Sequence, residues 1–304
     1  MTGPVFRLGT RGSPLALTQA AMVRDALCAA HGWDADEIET VVIRTTGDRV
    51  QDRALAEIGG KALWTKELDR ALLAGEVDAC VHSMKDVETI RPDAIAIAAV
   101  LPRADVRDRL IGADSIASLK HEAVVGTSSP RRRAQLLRRR PDLRIVLFRG
   151  NVDTRLAKLA AGEADATLLA AAGLDRLGRA GVGVAIPTDV MLPAPAQGAV
   201  GIEVRADDDH ARQIVAAIDH EATSLCIRTE RALLAALRAD CHSPVAALAQ
   251  ASGDGLRLDA ELLDEDGTAH VVGSAAGTPR EPLGGRLAAD LLRSAPESVR
   301  RLFA

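Results

Sequence analysis

The chain contains no tyrosine, and its entire aromatic content is Phe6, Phe148, Phe303, Trp33 and Trp64. Proteins that hold single-stranded nucleic acid stack bases on such rings, so this supply argues against that class. Cysteine is nearly as scarce. Cys28, Cys80, Cys226 and Cys241 lie far apart and make no CxxC pair. Neither a zinc site nor a disulfide framework fits that spacing, and a reducing cytoplasm is the expected compartment. No uncharged apolar run reaches the roughly 18–20 residues that a membrane span needs. Residues 1–30 carry Arg7, Arg11, Arg24 and Asp25 without an unbroken apolar stretch, so no signal peptide is expected.

Lysine is scarce as well, with five against 33 arginines. The arginines are concentrated. Residues 126–155 hold nine of them (131, 132, 133, 138, 139, 140, 144, 149 and 155) against Asp142 and Asp153, a local charge of +7 in a chain of net charge −4. A dense guanidinium field asks for an anionic partner, and planar forks hold carboxylates in a bidentate way that ammonium groups cannot. Nucleic acid is a poor candidate, because the whole is acidic (pI about 6.0) as well as poor in rings.

At 304 residues the chain is longer than the roughly 250–300 at which single cores stop growing, so two or three domains are expected. The first two-thirds alternates β-rich runs with helical patterns, which predicts βα units and mostly parallel sheets. Strands are expected over 5–9, 39–43, 78–81, 124–126, 144–148, 165–169 and 199–204. Helices are expected from 13 and over 65–74, 129–140, 151–161, 171–177 and 211–218, with a polar, Gly-rich loop over 45–61. Gly9-Thr10-Arg11-Gly12-Ser13-Pro14 and Gly126-Thr127-Ser128-Ser129-Pro130 both follow a strand and open a helix. Each presents hydroxyls and backbone N–H groups at a positive helix end, which suits an anion. Two such turns in corresponding places suggest paired domains facing one cleft. Pro187, Pro193 and Pro195 mark a crossing between them. From residue 220 a long helix to 237, a loop around Cys241 and alternating segments predict a smaller α+β domain with an antiparallel sheet. The expected division is 1–101 plus 196–219, then 102–195, then 220–304.

Three features carry candidate chemistry. Lys85 and Asp86 end the strand Val81-His82-Ser83-Met84, where open α/β sheets place ligands. A carboxylate there can move protons or stabilise a developing cation, and the lysine can hold a carboxylate. His82 reads as a packed strand-end residue. Cys241 lies in a loop near Arg238, which suits a nucleophile or an attachment site, whereas the other three cysteines fall in helix or strand patterns and read as core. Among the arginines, Arg131 and Arg132 fall in the first turn of their helix, Arg149 follows a strand, and Arg155 lies one turn into the next helix. Arg138, Arg139 and Arg140 fall in a last turn and read as a solvated helix end.

Thr10-Arg11-Gly12-Ser13-Pro14-Leu15-Ala16-Leu17, Val81-His82-Ser83-Met84-Lys85-Asp86, Gly126-Thr127-Ser128-Ser129-Pro130-Arg131-Arg132, Phe148-Arg149-Gly150-Asn151-Val152-Asp153-Thr154-Arg155 and Pro195-Ala196-Gln197-Gly198 occur in this order. Together they strongly resemble the porphobilinogen deaminase family. The resemblance implies two similar periplasmic-binding-protein-like α/β domains with the site between them, plus the α+β C-terminal domain. It implies a cytoplasmic, monomeric transferase that condenses four porphobilinogen molecules head to tail with loss of ammonia. The product, hydroxymethylbilane, is then released by hydrolysis. It also implies a covalent dipyrromethane cofactor on Cys241 and no metal, nucleic-acid or membrane partner. Asp86 matches the catalytic aspartate. Ser13, Lys85, Thr127, Ser129, Arg131, Arg132, Arg149 and Gln197 match cofactor-binding positions, and Arg11, Gln19, Lys61, Arg149, Arg155 and Arg176 match substrate-binding ones. The chain departs from the family at Ala239-Asp240, where Gly-Gly is frequent, and in its long loop at Glu57, Ala62 and Trp64. The runner-up is a bilobed, non-catalytic binder of small carboxylates, which would have no use for Asp86 or a loop cysteine.

Overall fold

A computed structural model of the protein describes residues 5–44 and 65–303. The chain divides into two compact units, Met1–Ala104 with Gly198–Ser224, and Asp105–Gln197 with Leu225–Ala304. It begins with β1 (Phe6–Arg11), α1 (Pro14–His31), β2 (Ile38–Ile43), α2 (Lys66–Leu73), β3 (Ala79–Ser83) and β4 (Ile95–Val100). It then passes through β5 (Asp108–Ile111), β6 (Val124–Gly126), α3 (Pro130–Arg139), β7 (Arg144–Val146), α4 (Val152–Ala160), β8 (Ala166–Ala170), α5 (Ala171–Arg176) and β9 (Val184–Ala185). β10 (Val200–Arg205) and α6 (Asp209–Ala216) return to the first unit. α7 (Glu221–Ala236), β11 (Val245–Ser252), β12 (Gly255–Leu263), β13 (His270–Gly277), α8 (Leu283–Ser294) and α9 (Glu297–Arg300) close the chain.

The first unit is built on a sheet of order β2-β1-β3-β10-β4, and the second holds one of order β7-β6-β8-β5-β9. In the first, β1 runs parallel to β2 and β3 while β10 is antiparallel to both its neighbours. The second repeats this arrangement, with β6 parallel to β7 and β8 and with β5 reversed. The two sheets therefore share one topology, and the reversed strand in each is the one that enters from the other segment of the chain. The expectation of mostly parallel sheets holds apart from those two strands. β4, β5 and β9 were not foreseen. Asp108-Arg109 and the two-residue β9 carry no period-2 signal, and β4 is a continuous apolar run of the kind that periodicity cannot assign.

Burial explains the layers. Phe6, Leu8, Val81, Val200 and Ile202 face Ala20, Val23 and Leu27 of α1 and Ile214 and Val215 of α6 on one side of the first sheet. Leu68 and Leu72 of α2 cover Cys80 and Ile95 on the other. In the second sheet Leu110, Val125, Ala166 and Leu168 pack with Leu136 of α3. A third, antiparallel sheet of order β11-β12-β13 packs on Leu233 of α7, Leu287 and Leu291 of α8 and Val299 of α9. It is the antiparallel C-terminal sheet expected from the alternating segments. This sheet belongs to the same compact unit as β5–β9, to which it is tied by Ala247 N donating to Pro193 O at 3.1 Å and by the ion pair of Arg138 on α3 with Glu261 on β12.

Candidate functional site

In the first unit the ends of β1 and β3 and the start of α1 converge on a cavity of about 60 Å³, with Arg11, Ser13, Gln19, His82, Ser83 and Asp86 in its wall. Ser13 is the N-cap of α1: its side chain accepts from Ala16 N at 3.3 Å, and Pro14 fills the first turn, where no N–H is needed. Gln19 is buried on α1, and its amide donates to Ser83 Oγ at 2.8 Å. β3 ends in a 3-10 turn, Met84–Asp86, which carries Lys85 and Asp86, both partly exposed, over a fully buried Met84. Met84 N donates to Ala199 O, and a Cβ on Gly201 would lie 2.1 Å from Met84 Sδ. Glycine at 201 is therefore what lets Met84 pack beneath the turn that bears Asp86.

In the second unit the corresponding strand-to-helix turn is built the same way. Ser129 caps α3 by accepting from Arg132 N at 3.3 Å, and Thr127 Oγ1 accepts from Ser129 N at 3.2 Å. Arg131 and Arg132 follow in the first turn, and both are buried. Their charge is met by Asp108, a fully buried carboxylate at the start of β5. Arg131 donates to Oδ2 and Arg132 to Oδ1, each at 2.7 Å, and the Gln197 amide donates to Oδ1 at 2.9 Å. Burial alone would push the Asp108 carboxyl up, but the two guanidinium groups override it and hold the carboxyl well below the usual carboxylate range. Burial likewise lowers Arg131 and Arg176 from the ordinary arginine value. Gln197 is fixed in turn by Glu230 of α7, whose buried carboxylate accepts from Ala196 N and Ala249 N and holds Ala196 at φ +61°.

Arg149 follows β7 and is buried beside Phe148, whose ring occupies the space a Cβ on Gly126 would need. Arg155, on α4, donates to Gly150 O at 3.0 Å and to Ser128 Oγ at 3.4 Å. Arg176 closes α5. The guanidinium donors Arg131 Nε, Arg132 Nε and Arg149 NH1 are buried with no hydrogen-bond acceptor among the described residues. Buried donors of this kind strongly favour an acceptor, and a group bearing several carboxylates fits them.

Cys241 is an exposed thiol between α7 and β11. The loop before it is well defined. Arg238 takes the left-handed conformation (φ +52°) that ends α7, and Ala239 N returns to Leu234 O, the pattern of a Schellman cap. Ala239 is buried. Asp240 Oδ1 accepts from His242 N at 2.8 Å while Asp240 N donates to Ser243 Oγ at 3.1 Å. The carboxylate of Asp240, which stands where the family often has glycine, is thus turned to a backbone N–H. Lys61 and the rest of the long loop lie outside the described residues.

The C-terminal end of α3 corrects one expectation. Arg138 pairs with Glu261 of β12, which also accepts from Gln135, and Arg140 donates to Asp142 and to the carbonyls of Ile116, Leu119 and Lys120. These arginines bind protein, not solvent alone. The sequence offered no sign of their partners, nor of Asp108, Glu230 and Glu203, because an isolated acid reads as surface by default. A surplus of clustered cations was the one available hint that buried carboxylates exist.

Comparison with known proteins bears on this geometry. The family profile described as "Porphobilinogen deaminase, dipyromethane cofactor binding domain" matches residues 6–213, and "Porphobilinogen deaminase, C-terminal domain" matches residues 224–293. The chain is 58% identical to a porphobilinogen deaminase of Sphingopyxis alaskensis over 98% of its own length and 96% of that protein's. It is 52% identical to the Paracoccus denitrificans porphobilinogen deaminase over 96% of this chain and 95% of that one. The chloroplastic porphobilinogen deaminase of rice is 50% identical over 83% of this chain and 72% of its own.

Proposed function

We propose the function from one premise: the chain belongs to the porphobilinogen deaminase family. It is a transferase of porphyrin biosynthesis that condenses porphobilinogen. Each condensation forms one carbon–carbon bond between pyrroles and expels one ammonia, and after four of them water releases linear hydroxymethylbilane. The observation that carries the site assignment is Asp86 at the end of β3, in the wall of a cavity shared with Arg11 and Ser13.

In this reading Asp86 stabilises the cation left on the substrate by ammonia loss and takes the proton shed after each coupling. Arg11, Gln19, Lys61, Arg149, Arg155 and Arg176 bind substrate acetate and propionate groups. Ser13, Lys85, Thr127, Ser129, Arg131, Arg132, Arg149 and Gln197 hold the dipyrromethane, which is attached through Cys241 Sγ. That group supplies the pyrrole end on which the product grows. Arg131, Arg132 and Arg149 suit its carboxylates through the buried donors described above. The protein works as three domains, 1–101 with 196–219, 102–195 and 220–304, and as a cytoplasmic monomer without nucleic-acid, membrane or metal partners.

Incubated with porphobilinogen, the purified protein is expected to release four ammonia per hydroxymethylbilane. Replacing Asp86 by alanine should reduce turnover by about 10²–10⁴-fold while leaving the circular dichroism spectrum unchanged. Turnover within a few-fold of wild type would remove Asp86 from the chemistry.

A further inference from the structure

Beneath the Asp86 cavity lies a polar cluster that the condensation chemistry does not use. Arg91, five residues beyond Asp86, is almost wholly buried, and all three of its guanidinium nitrogens are engaged. Nε donates to Glu203 Oε1 at 2.8 Å and NH2 to Glu203 Oε2 at 2.9 Å, a bidentate pair. NH2 also meets Asp69 of α2 at 2.5 Å, and NH1 meets Glu88 at 2.7 Å. Glu88 in turn accepts from Thr65 Oγ1 at 2.8 Å. One guanidinium therefore bridges three carboxylates and joins the segment that follows Asp86 to α2 and to the reversed strand β10.

Glu203 transmits this to the cavity. It is fully buried, and its Oε2 lies 3.2 Å from His82 Nε2. His82 pairs across the strands with Gly201, so His82, Gly201 and Glu203 share one face of the sheet. His82 is itself part of the cavity wall that Asp86 completes. The burial of Glu203 opposes its charge, yet His82 and Arg91 hold its carboxyl down at about 2, so it stays an anion between them. A buried carboxylate with one guanidinium removed is uncompensated, and the strand end above it must then rearrange or admit water.

We propose that Arg91 is a positioning residue for the condensation, holding Glu203 and through it His82 and the β3 end so that Asp86 stands in its working place. This rests on the reading of Asp86 as the catalytic carboxylate. Arg91 never touches the reacting atoms. Its loss should lower the rate of the chemical step while leaving substrate binding nearly intact, since misplacement of a reacting group weakens the transition state rather than the ground state. Lysine keeps the charge but cannot form the bidentate contact, so it should restore part of the rate.

The test is steady-state kinetics with porphobilinogen on the cofactor-loaded enzyme, comparing wild type with R91M, R91K, the double variant R91M/E203Q, and D86N. R91M is expected to lose about tenfold to a hundredfold in kcat with KM changed by less than about threefold. R91K should fall between the two. R91M/E203Q should recover most of the loss, because of the three carboxylates that R91M leaves without the guanidinium it removes the one that is fully buried. The proposal is overturned if R91M keeps wild-type kcat, if its loss lies in KM alone, or if the double variant is no better than R91M. Should R91M fail to fold, R91K decides: reduced kcat at an unchanged thermal midpoint supports the proposal, and unchanged kcat rejects it. D86N separates the two claims. An active D86N refutes the reading of Asp86 itself, whereas an inactive D86N beside a fully active R91M refutes only the role of Arg91.

Discussion

Asp108 Oδ2 and Arg131 NH2 lie 2.7 Å apart at a place where the carboxylate is fully buried and the guanidinium is 3% exposed. Arg132 closes on the second oxygen at the same distance. Two adjacent cations in the first turn of a helix repel each other and are disfavoured by the positive helix end, and one shared anion offsets both effects. The pair also fixes the guanidinium planes, leaving the Nε donors of Arg131 and Arg132 for another acceptor.

Replacing Asp108 by alanine should therefore lower stability by about 3–5 kcal/mol, the usual loss when one partner of a buried ion pair is removed. A urea unfolding curve measures it as a lower midpoint. An unchanged midpoint would mean that the two arginines are compensated elsewhere.

Glu203 makes a pH-dependent prediction. Its carboxyl is held at about 2 in the folded protein against an ordinary value of 4.5. A depressed carboxyl contributes stability that is fully present above the unfolded value and is lost as pH falls through the folded one. Wild-type stability should decline between about pH 4.5 and pH 2 more steeply than that of Glu203→Gln, which has no such group to protonate. Urea unfolding at stepped pH compares the two slopes, and equal slopes would contradict the ion-pair account.

Arg140 and Arg131 should part company. Arg140 binds Asp142 and four loop carbonyls, so Arg140→Ala is expected to lower Tm while kcat stays at the wild-type value. Arg131→Gln is expected to impair cofactor content, read by intact mass, as well as stability. Equal effects of the two on cofactor content would erase the distinction between structural and binding arginines.

How far these features could be read from the chain differs by kind. The capped turns at Ser13-Pro14 and Ser129-Pro130 were legible because their geometry is local: a hydroxyl, a proline and the following helix suffice. The strand end at Ser83 and the exposed loop of Cys241 followed from hydrophobic runs and their interruption. Asp108, Glu203 and Arg91 were not legible. Their burial comes from contacts between segments far apart in the chain, such as β5 with β8 for Asp108 and Arg91 with Glu203. The same limit hid the partners of Arg138 and Arg140, since nothing local to a helix end tells a solvated cation from one that reaches a distant carboxylate.

The central claim is that this chain carries a dipyrromethane on Cys241, and intact mass spectrometry of the purified, active protein tests it most directly. Wild type should exceed its sequence mass by two linked pyrrole units, and Cys241→Ser should show the bare sequence mass and no turnover. Active wild-type protein at the unmodified mass, or a Cys241→Ser protein that keeps the added mass, would contradict the account.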